Sequence, residues 1–514
     1  MIRDFWIAIA VLLVFFISQE LLYSQVERTI IGEADWHWAI GDQPINRVSI
    51  RDSSGNIHVI YGNGRLAPPP RPGIDGGDVY HIVGSPDGLY WSDTLNISKT
   101  PAMPSVLPSL AIDRWERLHV VWMEAGNDSD NYYEVFYSIK DSCCWSAPVN
   151  VSNQFGRSNT SPYPSLAVDS NGRPHVVWDQ WVGPGDWDIF YSAPTDTGWL
   201  EPERLSFDIY DSAFPTIVID SQDRVYVFWR TRQESDNRVI AYRVLEDGTW
   251  SPLTIAVDFS MANEQVSAVI GNNDMPILCF THTSIEGQSD IFIIRLDDAG
   301  WSEPEKVSES DRVASYGNFS IDTAENLYVV WMVGGDSMHY QDIYYRMWDG
   351  SEWSMVVNLS DDTTHTEHPK IGYPVTEWGV DLLWLSVENF DYNNNGIEDA
   401  LVNYSNLDSA LIGVIPEEAR VIPITHSLYQ NFPNPFNAKT DIRYLLINQG
   451  NIELTIYDML GHEVSRLIDG EQRAGEYLFT WNTEGVASGI YFYTLKVNSS
   501  HGDFVQTRKM VLLK

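Results

Sequence analysis

The sequence predicts an all-β chain, a β-propeller of about seven four-stranded blades followed by a small immunoglobulin-like β-sandwich, on two repeating series. Trp91, Trp145, Trp199, Trp250, Trp301 and Trp353 recur at intervals of 51 to 54 residues. Ahead of them, Asp52, Asp113, Asp169, Asp220, Gly271 and Asp322 are each followed nine residues later by an aromatic: Tyr61, Trp122, Trp178, Trp229, Phe280 and Trp331. A period near 50 residues with β-branched, aromatic runs between tight turns is the signature of a propeller blade.

In chain order, the first element is a leader. An apolar run from Phe5 to Ile17 follows Arg3, and Ser24-Gln25 offers a cleavage point. Thirteen apolar residues fall short of the ~20 needed to span a bilayer, so residues 1–25 are expected to be a cleaved signal peptide. An uncleaved anchor reaching Leu21-Leu22 is the alternative. Residues 26–406 carry the repeats. The best-defined unit reads as an inner strand from Pro164 to Asp169, a Ser170-Asn171-Gly172 turn, a second strand from Pro174 to Trp178, a longer loop, a third strand from Asp188 to Ser192, and an outer strand from Trp199. A third series, Glu134, Asp188, Val239, Asp290 and Asp342, opens the third strands, with Asp78 its equivalent in the first unit. A degenerate seventh unit follows, with Asp381 to Leu385 and Asp399 to Ser405 as strands but no outer tryptophan. Its fourth strand comes either from Ala410 to Ile415 or from the N-terminus around Trp36 to Ile40. Seven blades are expected, with six or eight as the alternatives.

The turns SPDGLYW, from Ser85 to Trp91, and EDGTW, from Glu246 to Trp250, resemble the Asp-box of sialidase-like propellers, with altered spacing. Fold transfers further than chemistry along such a resemblance.

After a linker over 407–426, residues 427–514 form a different domain. It contains Leu428-Tyr-Gln-Asn-Phe-Pro-Asn-Pro-Phe-Asn437, Ile452-Glu-Leu-Thr-Ile-Tyr-Asp-Met-Leu-Gly461, Gly475-Glu-Tyr-Leu-Phe-Thr-Trp-Asn482 and Thr507-Arg-Lys-Met-Val-Leu-Leu-Lys514. Alternating apolar residues between Gly and Asn turns predict a compact sandwich. These phrases, in this order, resemble the type A C-terminal sorting domain of cargo for the type IX secretion system. The resemblance implies that the secretion machinery is a partner, and that the chain crosses the outer membrane to be released or attached at a bacterial surface.

A formal net charge of −39 disfavours nucleic acid and anionic membranes, so membrane contact is expected only through export or attachment. Three cysteines exclude a disulfide framework, and the state of Cys143 and Cys144 stays open.

Within each blade, second-to-third loops share one end with the connections between blades, and these loops differ from one unit to the next. Diverse loops on a rigid scaffold are where recognition sits. Glu124, Trp181, Trp187, Arg230, Arg232 and His282 lie there as candidate ligand-binding residues, the aromatics for stacking on a sugar or peptide. A loop of D-x-[DN]-x-[DN]-G type, Asp391, Asn393, Asn395, the Ile397 carbonyl and Asp399, is expected to hold a structural calcium ion, although Val402 replaces the closing Glu of an EF-hand. An Asn-Asn-Gly turn without metal is the alternative. His58, His119 and His175 repeat in the second strand, but Tyr226 and Tyr328 take the same place, which favours packing over metal binding. A sialidase-like mechanism needs an arginine cluster, a nucleophilic Tyr with Glu, and an acid. No such set is apparent: Arg114, Arg117, Arg173 and Arg224 fall in the tight turns, at the other end. The expected function is binding of a carbohydrate or protein ligand at the cell surface. A sialidase-like glycoside hydrolase and a structural or adhesion component are the alternatives.

Overall fold

The computed structural model describes residues 29–34 and 47–62 and, with short interruptions in the loops, 77–407 and 427–513. Its elements are all strands; no helix occurs among the described residues. The chain divides into two compact units, residues 1–413 and 414–514.

In the first unit, six successive antiparallel sheets cover residues 49–96, 105–150, 165–204, 212–257, 263–306 and 313–358. Each runs in simple order from an inner to an outer strand. In the first, these are Ser49–Arg51, Ile57–Gly62, Val79–Gly84 and Leu95–Asn96. The seventh sheet is completed from the other end of the unit. His365–Ile371, Val380–Val387 and Ala400–Leu407 take Thr29–Ala34 as their outer strand, which pairs antiparallel with Ala400–Leu407. The closing strand is thus N-terminal, but it precedes the Trp36–Ile40 stretch expected for it. That stretch and Ala410–Ile415 both lie outside the described residues.

The tryptophan series explains how neighbouring sheets adhere. Five of the six tryptophans follow the third strand and meet, edge to face, an aromatic from the third strand of a neighbouring sheet, whereas Trp353 packs against Trp348 of its own sheet at 5.5 Å. Trp145 meets His81 at 5.4 Å, Trp199 meets Tyr137 at 4.9 Å, Trp250 meets Tyr191 at 5.1 Å and Trp301 meets Tyr242 at 5.8 Å. Trp91 of the first sheet meets Tyr404 of the seventh at 4.9 Å, so the same contact also joins the first and last sheets. Edge-to-face geometry adds to the area each indole buries. A buried ion pair joins the same two sheets: Arg51 Nε lies 2.6 Å from Asp381, with both side chains almost fully enclosed. The second aromatic series forms the interior of the sheets, and Trp122, Trp178, Trp229 and Trp331 have no exposed surface.

The acidic series has an equally local cause. Asp188 accepts a hydrogen bond from Ser206 at 2.7 Å, Asp290 from Ser308 at 2.8 Å and Asp78 from Ser98 at 2.6 Å. Those serines end the outer-strand phrases. Where the series has Val239, the fourth sheet uses an apolar outer strand, Thr254–Val257, instead.

The second unit has a three-stranded sheet, Ser427–Leu428, Lys439–Leu446 and Gly475–Asn482, and a four-stranded one, Glu463–Gln472, Gly450–Tyr457, Gly489–Ser499 and Gly502–Leu512. Ile442, Tyr444 and Trp481 from the first share a core with Leu454, Tyr493 and Met510 from the second.

Candidate functional site

The two ends of the first unit's sheets are built differently. At the end carrying the inner-to-second turns, polar groups are used in a repeating pattern. Asp52, Asp113, Asp169, Asp220 and Asp322 each accept backbone N–H groups two and four residues ahead; for Asp113 these come from Trp115 and Arg117, both at 2.9 Å. Their second oxygen faces the residue six positions on: His58 and His119 at 3.3 Å, His175 at 3.5 Å, Tyr226 at 3.4 Å and Tyr328 at 2.7 Å. His119 and His175 continue to the hydroxyls of Tyr137 and Tyr191 at 2.7 Å. In the first sheet a histidine replaces that tyrosine, and His58 Nδ1 lies 3.0 Å from His81 Nε2. The repeated histidines are therefore links in a structural relay.

The same turns tie sheet to sheet. Glu116, Asp223, Asp274 and Glu325 adopt left-handed backbone, φ 62° to 68°, where a side chain is disfavoured. Each carboxylate accepts the backbone N–H of the preceding turn, from Ser53, Ser170, Ser221 and Asn272 at 2.7 to 2.8 Å. These bonds offset the strain.

At the opposite end the pattern breaks. Five inner strands carry bulges, at Val106/Ser109, Ala213/Thr216, Asn263/Val266, Ser315/Asn318 and Glu367/Lys370. Leu107, Phe214, Tyr316 and His368 sit there at φ 53° to 57°. Bulges re-aim side chains, and strain of this kind gathers where a binding geometry is held in advance. Tyr163 holds the equivalent place in the third sheet, and its ring meets Phe214 edge-on at 4.9 Å. Both backbone N–H groups are held by Asp179, Tyr163 at 2.7 Å and Phe214 at 2.9 Å. Asp179 is 1% exposed, and burial pushes its carboxyl up to about 7 against the opposing pull of those bonds. The Arg230 guanidinium lies 4.8 Å from the Phe214 ring and pairs with Asp211 at 2.9 Å. Tyr163, Phe214 and Tyr316 are half-buried, presenting part of each ring.

The expected ligand residues fall at strand ends rather than in free loops. Trp181 and Trp187 are cross-strand partners at the end of the third sheet, both half-buried. Arg230 joins the Asp179–Phe214 cluster, while Arg232 is exposed and opposite Arg238. His282 packs edge-on to Phe292 at 5.9 Å, and burial holds its pKa below the usual histidine value. Glu124 is internal: 5% exposed, it accepts the Trp122 indole N–H at 2.9 Å and the Ser105 hydroxyl at 3.3 Å, and burial raises its pKa. The loop Asp391, Asn393, Asn395, Ile397 and Asp399 lies outside the described residues, as does the leader. Tyr163, Asp179, Phe214 and Tyr316 are missing from the sequence-based set. Their signals are that the residue after each core aromatic varies, as in Met123, Asp179, Arg230, Thr281 and Met332, and that Tyr163, Phe214 and Tyr316 each precede a proline or glycine.

Residues 430–512 match the secretion system C-terminal sorting domain family. No curated protein matches the chain in sequence. Among solved structures, a PL25 ulvan lyase bound to -[GlcA(1-4)Rha3S]- superposes with a TM-score of 0.51 at 12% identity, over 73% of this chain and 96% of that one. PorZ, a surface component of the type IX secretion system of Porphyromonas gingivalis, gives 0.42 at 12% identity over 91% and 60% of the two chains. Trypanosoma rangeli sialidase gives 0.41 at 8% over 95% and 90%. The likeness to the lyase speaks for fold alone.

Proposed function

Starting from a chain that a type IX sorting domain directs outside the cell, to the medium or the outer-membrane surface, we propose that its first unit is a seven-bladed propeller that binds a carbohydrate at the bulged end of its inner strands. The second unit is in this reading an immunoglobulin-like sandwich that engages the secretion machinery. The observation that carries the proposal is the set of half-buried aromatic rings, Tyr163, Phe214 and Tyr316, at or beside strained bulges, two of them held by the buried Asp179. Aromatic faces with a few fixed polar groups are how proteins grip sugar rings. Trp181, Trp187 and Arg230 belong to the same end and extend the surface. We propose further that Asp391, Asn393, Asn395, the Ile397 carbonyl and Asp399 bind a structural calcium ion, which a thermal melt with chelator and with added calcium tests.

The test is a glycan array probed with the full chain, beside a panel of fluorogenic glycosides. Binding of a restricted glycan set, lost in Phe214→Ala, supports the reading. Turnover of a glycoside replaces it with the hydrolase alternative, and silence in both assays replaces it with a structural role.

A further inference from the structure

The inner strands share a short phrase at the bulge: Leu107-Pro108-Ser109, Tyr163-Pro164-Ser165, Phe214-Pro215-Thr216, Tyr316-Gly317-Asn318 and His368-Pro369-Lys370. Its central residue is proline or glycine in these five sheets, and Val266 in the fifth. In the first sheet it is Arg47, since Val48 precedes the first inner strand where Ser109 and Thr216 stand in theirs. Proline and glycine suit an innermost edge, where no neighbour needs an N–H and space is short. An arginine there is a departure that local structure does not require.

Arg47 does not fold back on its own sheet. Its Nη2 donates to the carbonyl of Ala268, in the fifth sheet, at 2.9 Å, and its guanidinium lies 3.9 Å from the centroid of Tyr373, which follows the seventh sheet's inner strand. The first and fifth sheets are not neighbours in the cycle, so this side chain crosses its middle.

Arg47 is also unusual electrostatically. Arg51, Arg117, Arg204, Arg224, Arg230, Arg295 and Arg346 of the same unit each meet a carboxylate. Among the described residues no carboxylate meets Arg47, and Nε and Nη1 find no protein acceptor. Desolvation lowers its pKa, opposed only by Tyr373, and the side chain still keeps partial exposure. A partly exposed guanidinium whose donors are mostly unused by the protein is open to an anion taken on its planar edge.

We infer that Arg47 is the anchor for one anionic group, a carboxylate or a sulfate ester, carried by the carbohydrate ligand at the centre of the ring. The inference rests on the carbohydrate reading above. It also fits a chain of net charge −39, which repels dense polyanions more strongly than a ligand with a single anionic substituent.

The experiment has two arms on the full chain. In the first, wild type and Arg47→Met are compared by thermal melt in sodium sulfate and in sodium chloride at equal ionic strength, and phenylglyoxal labelling of the Arg47 peptide is followed by mass spectrometry with and without sulfate. Sulfate should raise the wild-type melting temperature above that in chloride, leave Arg47→Met unmoved, and protect Arg47 from labelling. Protection is read on wild type, so it decides the matter even if Arg47→Met does not fold. Equal shifts in both proteins, or labelling that sulfate does not slow, overturn the anion site. In the second arm, acidic and neutral glycans are titrated into both proteins. Acidic glycans should lose about tenfold or more in affinity in Arg47→Met, as expected for a charge-assisted pair, with neutral ones unchanged. Neutral glycans bound as tightly as acidic ones overturn the inference and leave the carbohydrate reading standing. Sulfate protection with no glycan bound does the reverse.

Discussion

The two ends of the sheets obey different rules, although the same strands run between them. At the turn end, one solution recurs: in five units an aspartate closes the turn and a ring six residues later takes its second oxygen, and in four a strained acid reaches the preceding turn. At the other end, equivalent positions hold Leu107, Tyr163, Phe214, Tyr316 and His368, and the proline site holds Arg47. Repetition marks what the cycle needs to hold together. Departure from it marks where selection acted on something besides stability.

The sharpest way to break the comparison is at the closure, where a buried ion pair adds to the repeated tryptophan contact. Removing Asp381 leaves Arg51 buried without its partner, and Tyr404 loses its acceptor. Asp381→Ala should cost about 3–5 kcal/mol in urea unfolding. A loss under 1 kcal/mol would mean that the first and seventh sheets are held by the Trp91–Tyr404 contact and the N-terminal strand alone.

A second test uses Asp179. Its folded pKa, about 7, lies above the ordinary carboxylate value, so the folded state binds a proton more readily than the unfolded state. Its contribution to stability is fully present below the unfolded pKa near 4 and is lost as pH rises to 7 and above. Asp179→Asn should flatten the stability–pH profile over that window while keeping one acceptor for the Tyr163 and Phe214 N–H groups. An unchanged slope would show that the carboxyl is not held in a dry site.

His81 gives the opposite sign. Burial, His58 and Lys140 hold its pKa well below the usual value, so its neutral form stabilises the fold above the unfolded pKa near 6.5, and that stability is lost as pH falls. His81→Tyr copies the residue found at Tyr137 and Tyr191. It should remove part of the acid lability in melts between pH 7 and 5, and unchanged acid sensitivity would place its source elsewhere.

The smallest effect is expected at the turn acids. Asp223→Gly relieves a φ of 62° but loses two bonds from Ser170, so its stability should change by under about 1 kcal/mol. Asp223→Ala keeps the strain and loses the bonds, and it should be the worse of the pair.

Much of this was legible in the sequence because it is periodic. The tryptophans announced the units, since five of them cover a third-strand aromatic of the neighbouring sheet. The acids opening the third strands also stood out, although their cause, a serine on the outer strand, appears only in three dimensions. The histidines share their place in the series with tyrosine, and both reach the turn aspartate six residues before them. The bulged end was less visible. The repeated Pro or Gly of the inner strands is visible in the sequence but does not reveal a bulge, and Phe214 reads as an ordinary strand aromatic until its backbone is seen bonded to Asp179, 35 residues away. Arg47 is more remote still, meeting an acceptor 221 residues along the chain. Glu124 misleads for the converse reason: an acid next to a variable loop reads as a ligand residue, yet it is consumed by the Trp122 indole.

The central claim is that ligand recognition belongs to the bulged end and adhesion between sheets to the turn end. Glycan binding by the full chain, measured side by side for wild type, Phe214→Ala, Trp181→Ala and Asp223→Ala, tests it most directly. The account predicts that the first two substitutions weaken binding by about tenfold, in line with the ~1–3 kcal/mol typical of a lost aromatic contact, while Asp223→Ala leaves affinity unchanged. Equal losses in all three, or a loss confined to Asp223→Ala, would contradict it.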